Sequence, residues 1–118
     1  MQSKVREDLI RVLNLDPKLI RCALMGESGV DIKDVSDQLP ISIECKNVEK
    51  LNIHSALKQA EENCESGKKP CVVFKRNNSS TYAVVPWSYL LDLLKGVQNG
   101  SECIDRTRNA ETSPVNGV

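Results

Sequence analysis

SGVDIKDVSDQLPISIECKN, residues 28–47, places charged side chains inside two short apolar runs, and its reading decides the fold. In the second run, ISIECKN (41–47), side chains alternate across a strand: Ile41, Ile43 and Cys45 point one way, Ser42, Glu44 and Lys46 the other. The first run, VDI (30–32), reads as a shorter strand in which Val30 and Ile32 face the core and Asp31 faces away. Burying charge without partners is costly, so Asp31, Glu44 and Lys46 either lie on a solvated face or are gathered for chemistry. Consecutive strands commonly lie side by side, which would bring two carboxylates and one ammonium together at a sheet edge.

Working outward, Val5, Leu9, Val12 and Leu13 give a first amphipathic helix over 4–14, ended by Asp16-Pro17. LIRCALMG (19–26) reads as a strand closed by the GESG turn, and KDVSDQLP as a loop into the strand 41–47. Ile53, Ala56, Leu57, Ala60 and Cys64 share one helical face, so a second helix is expected over 53–65, covering the Ile43 and Cys45 side of the strand before it. After the SGKKP break, PCVVF (70–74) has the continuous apolar character of a central strand, and TYAVV (81–85) returns as its hairpin partner. Pro86 opens a third helix through SYLLDLL (88–94). From Gly96 the sequence turns polar, so residues 96–118 are expected to be a flexible tail to a domain spanning 1–95. The fold class is therefore α/β, a mixed β-sheet core flanked by helices in the order α-β-β-β-α-β-β-α.

A length of 118 residues suits one core. Lys plus Arg and Asp plus Glu balance at 16 each, so no global field draws the chain to nucleic acid or membrane, and any anion-binding surface must be local. The N-terminal MQSKVREDLIRVLNL lacks the apolar segment of a signal peptide or membrane span, which leads to the expectation of a cytoplasmic protein. None of the five cysteines stands in a CxxC or other zinc-like spacing, and they read as buried thiols.

Carboxylate oxygens are the hard ligands magnesium prefers, and the ion commonly bridges a few carboxylates to a substrate phosphate while keeping several waters. Beside it, a lysine can orient or deprotonate the attacking water and offset charge on the phosphoryl oxygens. Asp31 followed by Glu44-Cys45-Lys46 resembles the motif of the PD-(D/E)XK nuclease superfamily, with Val30 where the family has proline. The αβββαβ order of residues 3–95 is similar to that superfamily's restriction-endonuclease-like core. The likeness is greatest to small archaeal and phage nucleases of Holliday-junction-resolvase type, phage members of which carry SGVDI, IECKN and a helix with a QAE segment. This resemblance implies that Asp31, Glu44 and the main-chain carbonyl of Cys45 bind Mg²⁺, with Mn²⁺ as a substitute, that Lys46 serves the attacking water, and that Gln59 lies beside the metal. It also implies an acid from the first helix, for which Glu7 is the candidate, with Glu27 in the turn as another.

Gln59 and Asn63 lie four apart on the flank of the second helix, where both can face the site or a DNA backbone. Lys68, Lys69, Lys75, Arg76 and Asn77 flank the strand 70–74 and are the candidate phosphate-binding surface. His54 has no candidate base partner and reads as structural or exposed, and Tyr82 and Trp87 are too few for an aromatic binding platform. The function expected is a Mg²⁺-dependent endodeoxyribonuclease acting on Holliday junctions or branched DNA. By family inference it acts as a homodimer, because two scissile strands call for two sites. The alternatives are a nicking, restriction-like or homing-type nuclease on duplex DNA, and a non-catalytic DNA-binding module of the same fold.

Overall fold

Helix α1 (Gln2–Leu13) ends where Asn14 takes a left-handed conformation, one that asparagine tolerates better than most residues. The computed structural model describes residues 1–104, so the expected tail from 105 to 118 lies outside the described residues. A 3-10 turn (Pro17–Leu19), capped by the Asp16 carboxylate on the Lys18 N–H, leads into β1 (Ile20–Cys22). Strand β1 pairs antiparallel with β2 (Ile32–Asp34). Strand β3 (Ile41–Asn47) pairs parallel with β4 (Lys69–Lys75) across helix α2 (Ile53–Glu62), and β5 (Tyr82–Val84) folds back antiparallel on β4. Helix α3 (Trp87–Ile104) begins a second compact unit, the first being Met1–Pro86.

Element order and the mixed α/β class agree with the sequence reading, and β4 is central, with Cys71 and Val72 buried. Four details differ. The strands form two small sheets, β1-β2 and β3-β4-β5, instead of one. Strand β1 stops at Cys22, because the Glu27 N–H donates to the Leu24 carbonyl and turns the chain back, with Gly26 and Gly29 at positive φ. Strand β2 begins after Asp31, not before it. Helix α3 continues through Gly96 to Ile104, since a glycine inside a helix costs only about 1 kcal/mol and need not end it.

The apolar residues of β3 and β4 feed two cores. Val5, Ile20, Ile32, Leu39, Ile43 and Cys71 bury against one another on the α1 side. On the other face, Ala56 and Ala60 of α2 seat on Val72, with Phe74 and Val84 beside them. Helix α2 therefore lies over the Glu44 and Lys46 face of β3, not over the expected Ile43 and Cys45 face. The register explains this: in a parallel pair Glu44 stands beside Val72, and Val72 is the residue that α2 covers. Of the cysteines, Cys71 is buried while Cys22, Cys45 and Cys64 are half-buried, all four as free thiols. Burial pushes Cys71 up to about 11 and Cys45 up to about 12, the Asp31 carboxylate adding to the latter, so neither is a ready nucleophile.

Lys68 closes the base of the fold. Its ammonium, 5% exposed, lies 2.8 Å from Asp34 (2% exposed) and 3.4 Å from both Asp37 and Glu65. Asp34 also accepts the N–H groups of Gln38 and Leu39 at 2.9 and 2.7 Å. Burial alone would raise the Asp34 carboxyl, but Lys68 and these two donors outweigh it and hold it below the usual range. Removing one partner of a buried pair strands the other charge. Lys68→Met is expected to lower stability by about 3 kcal/mol at pH 7 in urea unfolding. Because Asp34 is depressed, its contribution is present above the unfolded carboxyl's value and lost as pH falls through the folded one, so the deficit should shrink below about pH 4.

Candidate active site

Asp31 sits between the two sheets and is fixed by three bonds. Its N–H donates to the Ile43 carbonyl of β3 at 3.1 Å, and its own carbonyl accepts the Ala23 N–H at 2.8 Å. Its side-chain Oδ2 accepts the Cys45 N–H at 2.7 Å. The carboxylate thus does for the Cys45 N–H what a backbone carbonyl would do in a ladder, at a point where β2 and β3 are not themselves paired. Cys45 is present at the site through its main chain, and its thiol belongs to the opposite face.

On the α2 face, alternate residues of β3 each hold one residue of the helix or the turn after it. Ser42 Oγ accepts the Glu65 N–H at 3.0 Å, Glu44 Oε1 accepts from Asn63 Nδ2 at 2.9 Å, and Lys46 Nζ donates to Gln59 Oε1 at 2.7 Å. The period of two on the strand meets the spacing of four between Gln59 and Asn63 on the helix flank. Asn52 caps the start of α2 by accepting the Ser55 N–H, which fixes where that flank begins.

Asp31, Glu44, Lys46 and Gln59 are therefore brought together, as the sequence pattern anticipates, and Asn63 joins them. Glu44 is 2% exposed, and its carboxylate lies close enough to that of Asp31 to feel its charge. Burial drives the Glu44 carboxyl above its usual value; the Asn63 amide opposes this, and the Asp31 charge raises it further. Among the described residues neither carboxylate forms an ion pair, and the nearby Lys46 ammonium bonds to the neutral Gln59 instead. Two adjacent carboxylates with no cation between them are a donor set that fits Mg²⁺ or Mn²⁺, whose remaining positions water or phosphate can fill.

The other candidates are placed elsewhere. Glu7 is exposed and bonds Arg6 at 2.9 Å, while Arg6 itself ties α1 to the Ile20 and Pro17 carbonyls. Glu27 is held by both guanidinium nitrogens of Arg21, at 2.9 and 2.8 Å, and by the Leu24 N–H, which together bring it down to about 2. Among the described residues no third Asp, Glu, His or Cys completes a metal-binding group with Asp31 and Glu44. Lys68 is corrected as a phosphate contact, because its ammonium is consumed in the buried cluster around Asp34. Lys69 is exposed but begins β4, at the opposite end from Lys75, which lies beside Asn47. Lys75, Arg76 and Asn77 thus flank the Lys46 end, although the Asn77 N–H is already taken by Glu49 at 2.9 Å. His54 is exposed, as expected. Asn63, expected to face the site or a DNA backbone, faces the site as the donor to Glu44, and Ser42, as an anchor for the chain after α2, had no role from sequence. Their signal was the polar i, i+2, i+4 row of β3, which needs a polar helix flank opposite it.

Comparison of the chain with family models, with curated proteins and with solved structures finds no match. No helix among the described residues is long and apolar enough to cross a membrane.

Because the Glu44 carboxyl is raised, its ionisation opposes folding: the penalty is absent below the unfolded carboxyl's value and grows as pH rises through the folded one. In chelator, Glu44→Gln should therefore be at least as stable as the parent at pH 8, with the difference between them moving in the parent's favour as pH is lowered to 4. Thermal unfolding across that range measures it.

Proposed function

We propose that this protein is a metal-dependent endodeoxyribonuclease of PD-(D/E)XK type, with a restriction-endonuclease-like core, acting on Holliday junctions or other branched DNA. One observation supports this above the rest: Asp31 and Glu44, from different elements, face each other without a counter-cation, with the Lys46 ammonium held beside them. A solvated surface ion pair would leave Glu44 exposed, whereas a buried carboxylate calls for a partner, which a bound cation would supply. The parallel β3-α2-β4 unit that carries Glu44, Lys46 and Gln59 also agrees with the resemblance drawn from the sequence.

In this reading Asp31 and Glu44 hold Mg²⁺, with the Cys45 carbonyl as a further oxygen. When bound, the cation would polarise a phosphoryl oxygen and make water a better nucleophile near neutral pH. The chain's own groups do the rest. Asn63 fixes the Glu44 carboxylate, and the Cys45 N–H fixes that of Asp31. Gln59 steers Lys46, whose ammonium orients the attacking water and offsets negative charge on the phosphoryl oxygens. Lys75 and Arg76 flank the same end of the sheet and supply phosphate contacts. A homodimer would present two such sites to two strands of a junction.

Incubation with Mg²⁺ and labelled duplex, single-stranded, flap and four-way DNA is expected to give cleavage by the parent of at least one branched substrate. Glu44→Ala and Lys46→Ala should each reduce the rate by about a hundredfold or more. Gln59→Ala should reduce it by about tenfold, because the lysine remains but loses its guide. Failure of the parent to cut any of these DNAs, in Mg²⁺ or Mn²⁺, would sink the proposal. Separately, Mg²⁺ should raise the melting temperature of the parent and leave that of an Asp31→Asn, Glu44→Gln double variant unmoved.

A further inference from the structure

Lys46, Phe74 and Tyr82 form one lateral row across β3, β4 and β5: Lys46 is the register partner of Phe74, and Phe74 of Tyr82. Register partners project to the same face of a sheet, so the two aromatic rings share the face that carries Lys46 and Glu44. The rings stack, with centroids 5.7 Å apart and planes 26° from parallel, so Phe74 backs Tyr82 in a single-base surface, where the sequence, counting only Tyr82 and Trp87, spoke against an extended platform. Phe74 packs against the core of Ala56, Ala60 and Val72, which fixes the inner ring, while Tyr82 is 58% exposed. Together with Arg76 and Ser79 they line an open depression of about 400 Å³.

The turn beneath it is ordered. Ser79 Oγ accepts the Arg76 N–H at 3.2 Å, the Ser79 N–H donates to the Arg76 carbonyl at 3.3 Å, and Asn78 takes a left-handed conformation. Among the described residues the Arg76 side chain makes no ion pair. Glu49, from the segment between β3 and α2, accepts the Asn77 N–H. The depression therefore combines an aromatic face with an uncommitted guanidinium, the two elements that grip an unpaired nucleotide: a π surface for the base and a cation for its phosphate. A packed core would not leave the tyrosine ring open at the lip of a depression that an arginine also lines.

We propose that this depression receives an unpaired nucleobase of the substrate DNA, stacked on Tyr82, with Arg76 on the adjoining phosphate. The inference rests on the nuclease reading above and deepens it. Two strand spacings, about 10 Å, separate Lys46 from Tyr82, so the bound base belongs to a nucleotide close to the scissile phosphate. Selectivity for branched or distorted DNA then has a physical source. A fully paired duplex must lose stacking and pairing to fill the depression, whereas a flap, bulge or junction offers a base at little cost.

The test is binding in Ca²⁺, which permits complex formation while chemistry is held back, by fluorescence anisotropy on a blunt duplex and on the same duplex carrying an unpaired 2-aminopurine. The parent should prefer the second DNA by about tenfold and should quench the 2-aminopurine. Tyr82→Ala should lose both the preference and the quenching, and Tyr82→Phe should keep them, because the ring and not the hydroxyl does the stacking. Arg76→Ala should weaken binding to both DNAs and flatten the salt dependence by about one unit. Circular dichroism of Tyr82→Ala should match the parent, its side chain being exposed. Equal preference and quenching in Tyr82→Ala and parent would overturn the pocket while leaving cleavage in Mg²⁺ to stand. Lack of preference in a parent that cleaves would do the same, and a parent that neither binds nor cleaves any DNA would overturn both readings.

Discussion

Asp31 is gripped by both sheets at once, and the rest of the site depends on that grip. Its N–H bonds to β3, its carbonyl receives a bond from Ala23 just past β1, and its carboxylate captures the Cys45 N–H. A charge-assisted bond to a backbone N–H is among the stronger hydrogen bonds a protein forms. Here it also decides geometry, because anchoring Oδ2 on Cys45 sets the carboxylate next to Glu44, one residue along the same strand. The sharp turn with Gly26 and Gly29 at positive φ serves this end, since it returns the chain so that Asp31 arrives beside Ile43 and Cys45.

Strand β3 has two faces with different tasks. Ile41, Ile43 and Cys45 go into the larger core with Val5 and Ile20, where burial is favourable and needs no partners. The face made by Ser42, Glu44 and Lys46 lies under α2, where every polar group needs one, and Glu65, Asn63 and Gln59 supply them in order. Each such bond adds only about 1 kcal/mol to stability. Their larger effect is on orientation, because a strand side chain locked to a helix flank has little rotamer freedom left. Lys46 is thereby aimed by a neutral amide, which leaves its full positive charge available to the space beside Glu44.

Alternation in residues 41–47 was legible without coordinates, and with it the shared face of Glu44 and Lys46. So were the flank shared by Gln59 and Asn63, which follows from a period of 3.6, and the central character of Cys71 and Val72, which follows from an unbroken apolar run. Which face α2 would cover was not, since the apolar stripe of Ala56 and Ala60 has no way to declare whether it meets Ile43 or Val72. That choice belongs to the β3–β4 register and the crossover between them. Lys68 was misread for a related reason: in the string SGKKP it looks like one more surface cation, and only tertiary contact brings Asp34 from 34 residues away. Gly96 misled because the local cost of a glycine is too small to stop a helix by itself.

Asp34 and Glu44 make a pair of opposites within one small unit. Both carboxylates are taken out of water. Asp34 receives an ammonium and two backbone N–H donors, and its carboxyl is held low. Glu44 receives one neutral amide and faces a second acid, and its carboxyl is driven high. The chain therefore has the means to neutralise a buried acid fully and does so at the base of the fold. If Glu44 were structural in the same sense, the simplest arrangement would turn the Lys46 ammonium from Gln59 onto Glu44, a neighbour two residues away on the same face. Its bond to Gln59 leaves Lys46 acting on Glu44 only through space, too weakly to offset burial and the Asp31 charge, so the two neighbouring acids keep a deficit of positive charge that Asp34 does not have.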